Sequence, residues 1–301
     1  MKLFYYKDEI GNFGDDLNPW LWDKLLPDYF DNDDSEYLVG IGTLINDKLP
    51  KDKKKIIFGS GYGYGKLPVI DETYNFLAVR GPKTAEILGL NPNLAVTDSA
   101  ILVRTVYSAE QSDKKYKFGF MPHCLSSKYF DWSEICKNLN INYICAEWSV
   151  DKVLAEMSSC EIMICEAMHG AIVADALRIP WIPVRCYDYI FSFKWEDWLS
   201  TINLPYEPHS ITSIYDHNSK LTFIPRIKNQ VKRALYDSGY WNNKWFPPLI
   251  KDSPQHKISQ AENELNNLTL SKPYLSSDSI CQELTDRYLD LLNIIITKKF
   301  L

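Results

Sequence analysis

Ile162-Met163-Ile164-Cys165-Glu166-Ala167-Met168-His169-Gly170-Ala171-Ile172-Val173-Ala174-Asp175-Ala176-Leu177 reads as an apolar strand ending near Cys165 and an Ala-rich helix beginning near His169. His169 therefore falls at a strand-to-helix junction. Exposed backbone N–H groups and the positive end of the helix dipole favour an anion there. An imidazole at that place serves as acid, base or phosphate partner. Gly170 and Ala171 let a ligand approach the backbone. A capping or core histidine in an ordinary turn is the competing reading.

The same unit recurs on both sides of this stretch. Upstream, strands are expected at Lys2–Tyr6, Tyr37–Ile41, Ile56–Phe58, Phe76–Val79 and Leu94–Val96, with helices from Leu17 to Leu26 and from Pro82 to about Gly89. The polar stretch Tyr107–Lys117 reads as a linker. The pattern then restarts with strands at Lys117–Met121, Asn142–Cys145, Ile162–Cys165 and Trp181–Val184, and helices at Trp132–Leu139, Val150–Met157 and His169–Leu177. Strands alternating with helices give an α/β fold with mostly parallel sheets covered on both faces. Ligands of such sheets bind beyond the carboxyl ends of the strands. Residues 206–225 read as a connector and 226–236 as a basic amphipathic helix. The stretch 241–278 is polar, and Ile280–Lys298 reads as a closing helix.

The 301 residues suit two domains, and 46% hydrophobic with 24% charged is the balance of a globular chain with a sizeable core. A net charge of −6 without a basic block argues against nucleic acid as partner. The 7 cysteines include no Cys-x-x-Cys pair, so reduced, buried thiols in a cytoplasmic protein are the expectation. Met1–Tyr6 is too short an apolar run for a signal peptide. No stretch approaches the roughly 20 apolar residues that span a bilayer. The basic helix is either a solvated face or a peripheral contact with an anionic membrane.

Other candidates cluster at strand ends. Gly11-Asn12-Phe13-Gly14-Asp15-Asp16 follows the first strand, and Asp15 or Asp16 there either caps a helix or works on a hydroxyl. Gly40-Ile41-Gly42 and Gly59-Ser60-Gly61-Tyr62-Gly63-Tyr64-Gly65 lack both the dinucleotide fingerprint and the P-loop Lys; close backbone approach at a cleft explains them. His123 follows the first strand of the second half. Asp98 follows the Leu94–Val96 run. Lys194, a compact cation, suits a carboxylate or phosphate. No His, Cys, Asp and Glu set has metal-ligand spacing, so no metal is expected.

In order along the chain, Asn12-Phe13-Gly14-Asp15-Asp16-Leu17, Gly40-Ile41-Gly42-Thr43-Leu44, Val79-Arg80-Gly81-Pro82-Lys83-Thr84, Thr97-Asp98-Ser99-Ala100 and Met168-His169-Gly170-Ala171-Ile172-Val173-Ala174-Asp175 resemble the motifs of the polysaccharide pyruvyl transferases. The likeness is to the branch found in exopolysaccharide gene clusters, such as the succinoglycan type, and covers roughly residues 1–200. It implies two Rossmann-like domains facing across a cleft, as in GT-B glycosyltransferases. The expected division is 1–110 on the acceptor side, 111–210 on the donor side, and 211–301 as connector and helical extension.

The resemblance implies phosphoenolpyruvate as co-substrate, no cofactor, and a saccharide acceptor, lipid-linked at the inner membrane face. The product is a pyruvate ketal. It implies His169 in catalysis and Lys194 on the donor anion. Asp15 or Asp98 then orients or deprotonates the acceptor. Many members carry an Arg just after the first strand of the second domain. Here Met121-Pro122-His123 stands there, and His123 is the expected substitute as the donor's charge partner. The motifs further imply Met168, Gly170 and Arg80 on the donor, and Asn12, Asp16, Gly42, Gly61 and Tyr62 on the acceptor. Two other readings share the pattern: a GT-B glycosyltransferase using a nucleotide-sugar, and a non-catalytic saccharide-binding protein of an assembly complex. The donor separates the first, and tolerance of His169→Ala the second.

Overall fold

The computed structural model describes residues 1–8, 10–109, 113–216, 231–232, 234–235, 238–240 and 252–299. The basic helix expected at 226–236 lies for the most part outside them. Two parallel sheets form the frame. In the first, β1 (Lys2–Phe4), β2 (Glu36–Val39), β3 (Lys54–Phe58) and β4 (Tyr74–Ala78) lie in chain order. In the second, β5 (Tyr116–Met121), β6 (Asn142–Tyr143), β7 (Cys160–Cys165), β8 (Trp181–Arg185) and β9 (His209–Ser210) lie in the order β6-β5-β7-β8-β9. The chain leaves β5 in one direction and β7 in the other. Such a reversal opens a crevice beyond the carboxyl ends of the two strands, and His123 and His169 follow those ends. β5 and β7 finish level, Met121 beside Cys165, and the Met121 carbonyl accepts from Glu166 N at 3.0 Å.

The expected helices are present as α1 (Phe13–Leu25), α2 (Pro82–Ile87), α5 (Ser133–Asn138), α6 (Val150–Ser158), α7 (Met168–Ala176) and α10 (Asp278–Lys299). Reading the sequence missed α3 (Val103–Val106), α4 (Cys124–Tyr129), α8 (Ser192–Leu199) and α9 (Gln255–Leu268). In α9 the signal was present: Ala261, Leu265 and Leu268 recur at helical spacing and are buried. The strand expected at Leu94–Val96 is a 3-10 turn, Pro92–Leu94, followed by a single parallel bridge of Ala95 to Val79.

Helix α1 ties the frame together. Its apolar face, Phe13, Leu17, Leu21 and Trp22, is buried in a core that continues through Met121, Cys165 and Ala171 of the second half. α1 packs on both α6 and α7. Pro19 sits inside α1 and has no N–H for the carbonyl four residues back. The side-chain amide of Asn18 takes its place, donating to the Asp15 carbonyl at 3.2 Å. The same amide donates to Ile41 O at 3.0 Å, and its oxygen accepts from Ile41 N at 2.9 Å and from Trp22 Nε1 at 3.2 Å. Asn18 is fully buried with every bond made, which fastens the start of α1 to the loop after β2.

Asn18→Ala leaves both polar groups of Ile41 buried and unpaired, at about 1–3 kcal/mol each. The expected loss is about 2–4 kcal/mol in urea unfolding; a loss below about 1 kcal/mol contradicts this account.

Candidate active site

A pocket of about 730 Å³ opens where the carboxyl ends of both sheets meet. Asn12, Asp15 and Gly42 line it from the first half, and His123, Met168, His169 and Lys194 from the second. These seven expected residues converge although up to 182 positions separate them in the chain (194 − 12).

His169 stands on the first turn of α7, a helix whose N-cap, Ala167, has no capping side chain. The first N–H groups of α7 are thus left for a ligand. The imidazole lies against the start of α1: a Cβ at Gly14 would fall 2.1 Å from its Nδ1. Its Nε2 is buried and faces Asp98 Oδ2 at 3.6 Å. That distance is just beyond a hydrogen bond, and neither atom has another hydrogen-bond partner among the described residues. Asp98 Oδ1 meanwhile accepts from Ala100 N at 3.0 Å, capping the 3-10 helix Ser99–Leu102.

Asp15 accepts from Asn12 Nδ2 at 2.7 Å. Burial pushes its carboxyl up to about 6, while the charges of His169 and Lys194 pull the other way. Lys194 has no ion-pair partner among the described residues; its ammonium lies 4.6 Å from the centre of the Tyr64 ring. His123 is held differently from the expectation. Its Nδ1 accepts from Leu125 N at 3.2 Å, capping α4, and burial pushes the ring down to about 3, with Lys194, Lys128 and His169 adding to it. It faces the pocket as a neutral ring rather than as the charge expected of it.

Six expected residues lie behind the pocket wall. Arg80 is fully buried, pairs with Asp197 at 3.1 Å and donates to Thr43 Oγ1 and the Tyr62 carbonyl at 2.8 Å each. It holds α8, and so Lys194, against the first half and does not line the pocket, unlike the expected donor contact. Gly61 makes room for that guanidinium, since a Cβ there would fall 2.2 Å from Cζ. Tyr62 supplies a carbonyl to Arg80 and packs its ring on Phe193. Asp16 accepts from Asn12 N at 3.0 Å, a capping role. A Cβ at Gly170 would meet Met121 Sδ at 2.7 Å, so its smallness serves helix-to-strand packing. Asp98 reaches His169 and is fully buried, out of reach of an acceptor.

Sequence reasoning missed Glu166. It lines the pocket fully buried, and accepts from His123 N at 3.0 Å, from Cys186 N at 2.8 Å and from the Ser126 hydroxyl. It braces the loops after β5 and β8. Burial raises its carboxyl, and these bonds oppose the rise. A buried charge directly before the Ala-Met-His run was the available signal. Among the described residues no three of His, Cys, Asp or Glu are placed to hold a metal ion. No described helix is long and apolar enough to cross a membrane.

Residues 5–189 match the family described as polysaccharide pyruvyl transferase. Over 214 residues the chain is 40% identical to the succinoglycan biosynthesis protein ExoV of Rhizobium meliloti (strain 1021), covering 70% of this chain and 68% of that protein. No solved structure matches the chain.

The raised acid Asp15 favours its protonated form, so ionising it weakens the fold. The penalty is absent below about pH 4, grows as pH rises and is complete above about pH 6. Asp15→Asn removes it. The variant is expected to unfold like the wild type near pH 4 and to be more stable near pH 7.5, both read by urea titration; a pH-independent difference contradicts this.

Proposed function

The chain belongs to the polysaccharide pyruvyl transferase family, and on that premise we propose that it moves the pyruvate unit of phosphoenolpyruvate onto a hydroxyl pair of a saccharide as a ketal. The carrying observation is that His169, Asp15 and Lys194 line one pocket at the uncapped start of α7. We read the two sheets as Rossmann-like domains meeting in the GT-B manner, with residues 1–110 and 111–210 as their spans. The acceptor is a lipid-linked saccharide of exopolysaccharide synthesis, and the reaction takes place on the cytoplasmic side.

The donor carries a carboxylate and a phosphate. Lys194 and the N–H groups of α7 suit these anions, and the neutral His123 contributes a hydrogen bond. Protonation of the methylene carbon by His169 makes C2 electrophilic. One sugar hydroxyl adds there and gives up its proton, and the C2–O bond to phosphate breaks. The second hydroxyl adds to the same carbon and loses its proton. Of the two protons released, one replaces that spent on the methylene and the other leaves on hydrogen phosphate. Asp15, with a carboxyl near 6, is matched to taking a proton from the acceptor near neutral pH. Because Nε2 of His169 is buried against Asp98, exchange with the pocket falls to its Nδ1 edge. Asp98 orients the ring, as a carboxylate does behind a general-base histidine.

Incubation with phosphoenolpyruvate and a lipid-linked oligosaccharide, followed by mass spectrometry, should yield the pyruvate ketal and inorganic phosphate. Thermal stabilisation by nucleotide-sugars but not by phosphoenolpyruvate would overturn the reading. His169→Ala should lower kcat by about 10²–10⁴-fold, and Gly14→Ala, which displaces the imidazole, should act in the same direction. Lys194→Met should raise KM for phosphoenolpyruvate about ten-fold or more, and an unchanged KM removes it from the donor site.

A further inference from the structure

Helix α10 lies beyond the span that matches the family, yet it reaches the back of the site. The route there starts in the His169 helix. Asp175 accepts from Trp181 Nε1 at 3.0 Å and from Ser276 N at 2.9 Å, which turns the chain into α10. α10 then packs on the 3-10 helix that Asp98 caps. Its Tyr288 is fully buried, with its ring 5.1 Å from that of Phe58. A Cβ at Gly59 would fall 2.5 Å from the Tyr288 hydroxyl, so the strand end is shaped to admit it. The hydroxyl donates to the Thr97 carbonyl at 2.5 Å. The Thr97 hydroxyl is hydrogen-bonded to that of Thr201 at 2.9 Å, and Thr201 itself donates to the Trp198 carbonyl at 2.6 Å. Thr97 is thus held from two elements, and the next residue is Asp98. The Asp98 charge adds to the burial that keeps the Tyr288 phenol protonated, and so a donor.

We infer that Tyr288 is a positioning residue: by fixing the Thr97 carbonyl it sets the direction in which the Asp98 carboxylate leaves the backbone toward His169. The C-terminal helix is in this sense part of the active site. The kinetic consequence rests on the proposed pyruvyl transfer, whereas the effect on the imidazole does not.

The test compares Tyr288→Phe with Tyr29→Phe in the full chain. Tyr29 makes a similar bond to the same helix, its hydroxyl donating to the Ile295 carbonyl at 2.5 Å. Two quantities are read: the ring-nitrogen chemical shifts of His169 in the free protein, and kcat and KM with phosphoenolpyruvate. Tyr288→Phe should redistribute the His169 proton between the two ring nitrogens. It should lower kcat about ten-fold, with KM within about two-fold. Tyr29→Phe should leave the His169 shifts and kcat unchanged. Unaltered His169 shifts in Tyr288→Phe, or the same change in both variants, overturns the inference. If Tyr288→Phe does not fold, Thr201→Val releases Thr97 from the other side and must show the same kcat-selective loss; its absence is equally decisive. Should no pyruvyl transfer occur at all, the His169 shifts still decide for or against Tyr288.

Discussion

Gly14 has no Cβ, and the imidazole of His169 takes the space where one would stand. This close approach brings the first turn of α1 against the first turn of α7, and the pocket lies along that seam. Asp15 follows Gly14 directly, so the acid comes into the field of His169 and Lys194 only because α1 can come so near. The Asn18 amide then keeps α1 from sliding, because it has spent all its bonds on Asp15, Trp22 and Ile41.

The opposite wall depends on a buried charge pair. Removing Arg80 and Asp197 from water is costly unless every polar atom is met, and the neighbourhood meets them. Thr84 donates twice to Asp197, while Thr43 and the Tyr62 carbonyl take up the guanidinium. Through Asp197 the pair fixes α8, and with it the pocket-lining Lys194. A residue outside the pocket lining thereby governs where a pocket cation stands. Asp98 and Tyr288 stand in a similar relation to His169, one shell of packing further back.

Much of the frame was legible from residue order. Apolar runs such as Ile162–Cys165 mark strands, and Pro82 opens a helix whose end Gly89 marks, at a φ of +63°. Short helices were harder to see. α4 and α8 lie in stretches for which no element was expected, because a helix of 6 or 8 residues offers too few turns for a period to show. The 3-10 turn at Pro92–Leu94 replaced an expected strand because Pro92 cannot donate in a sheet ladder and suits a first turn.

The sequence by itself determined the α/β class, the strand-to-helix junction at His169 and the residue types able to meet an anion. These follow from local periodicity and turn chemistry, which neighbouring residues settle among themselves. Which of those residues share the pocket was a tertiary decision. Arg80 and Asp15 look equally available in a string of letters. Burial and a partner 117 positions away, Asp197, withdrew the first, whereas the approach of α1 to α7 placed the second beside the imidazole. Long-range packing decides which polar groups are satisfied internally and which are left facing the cleft, and no local pattern encodes that difference.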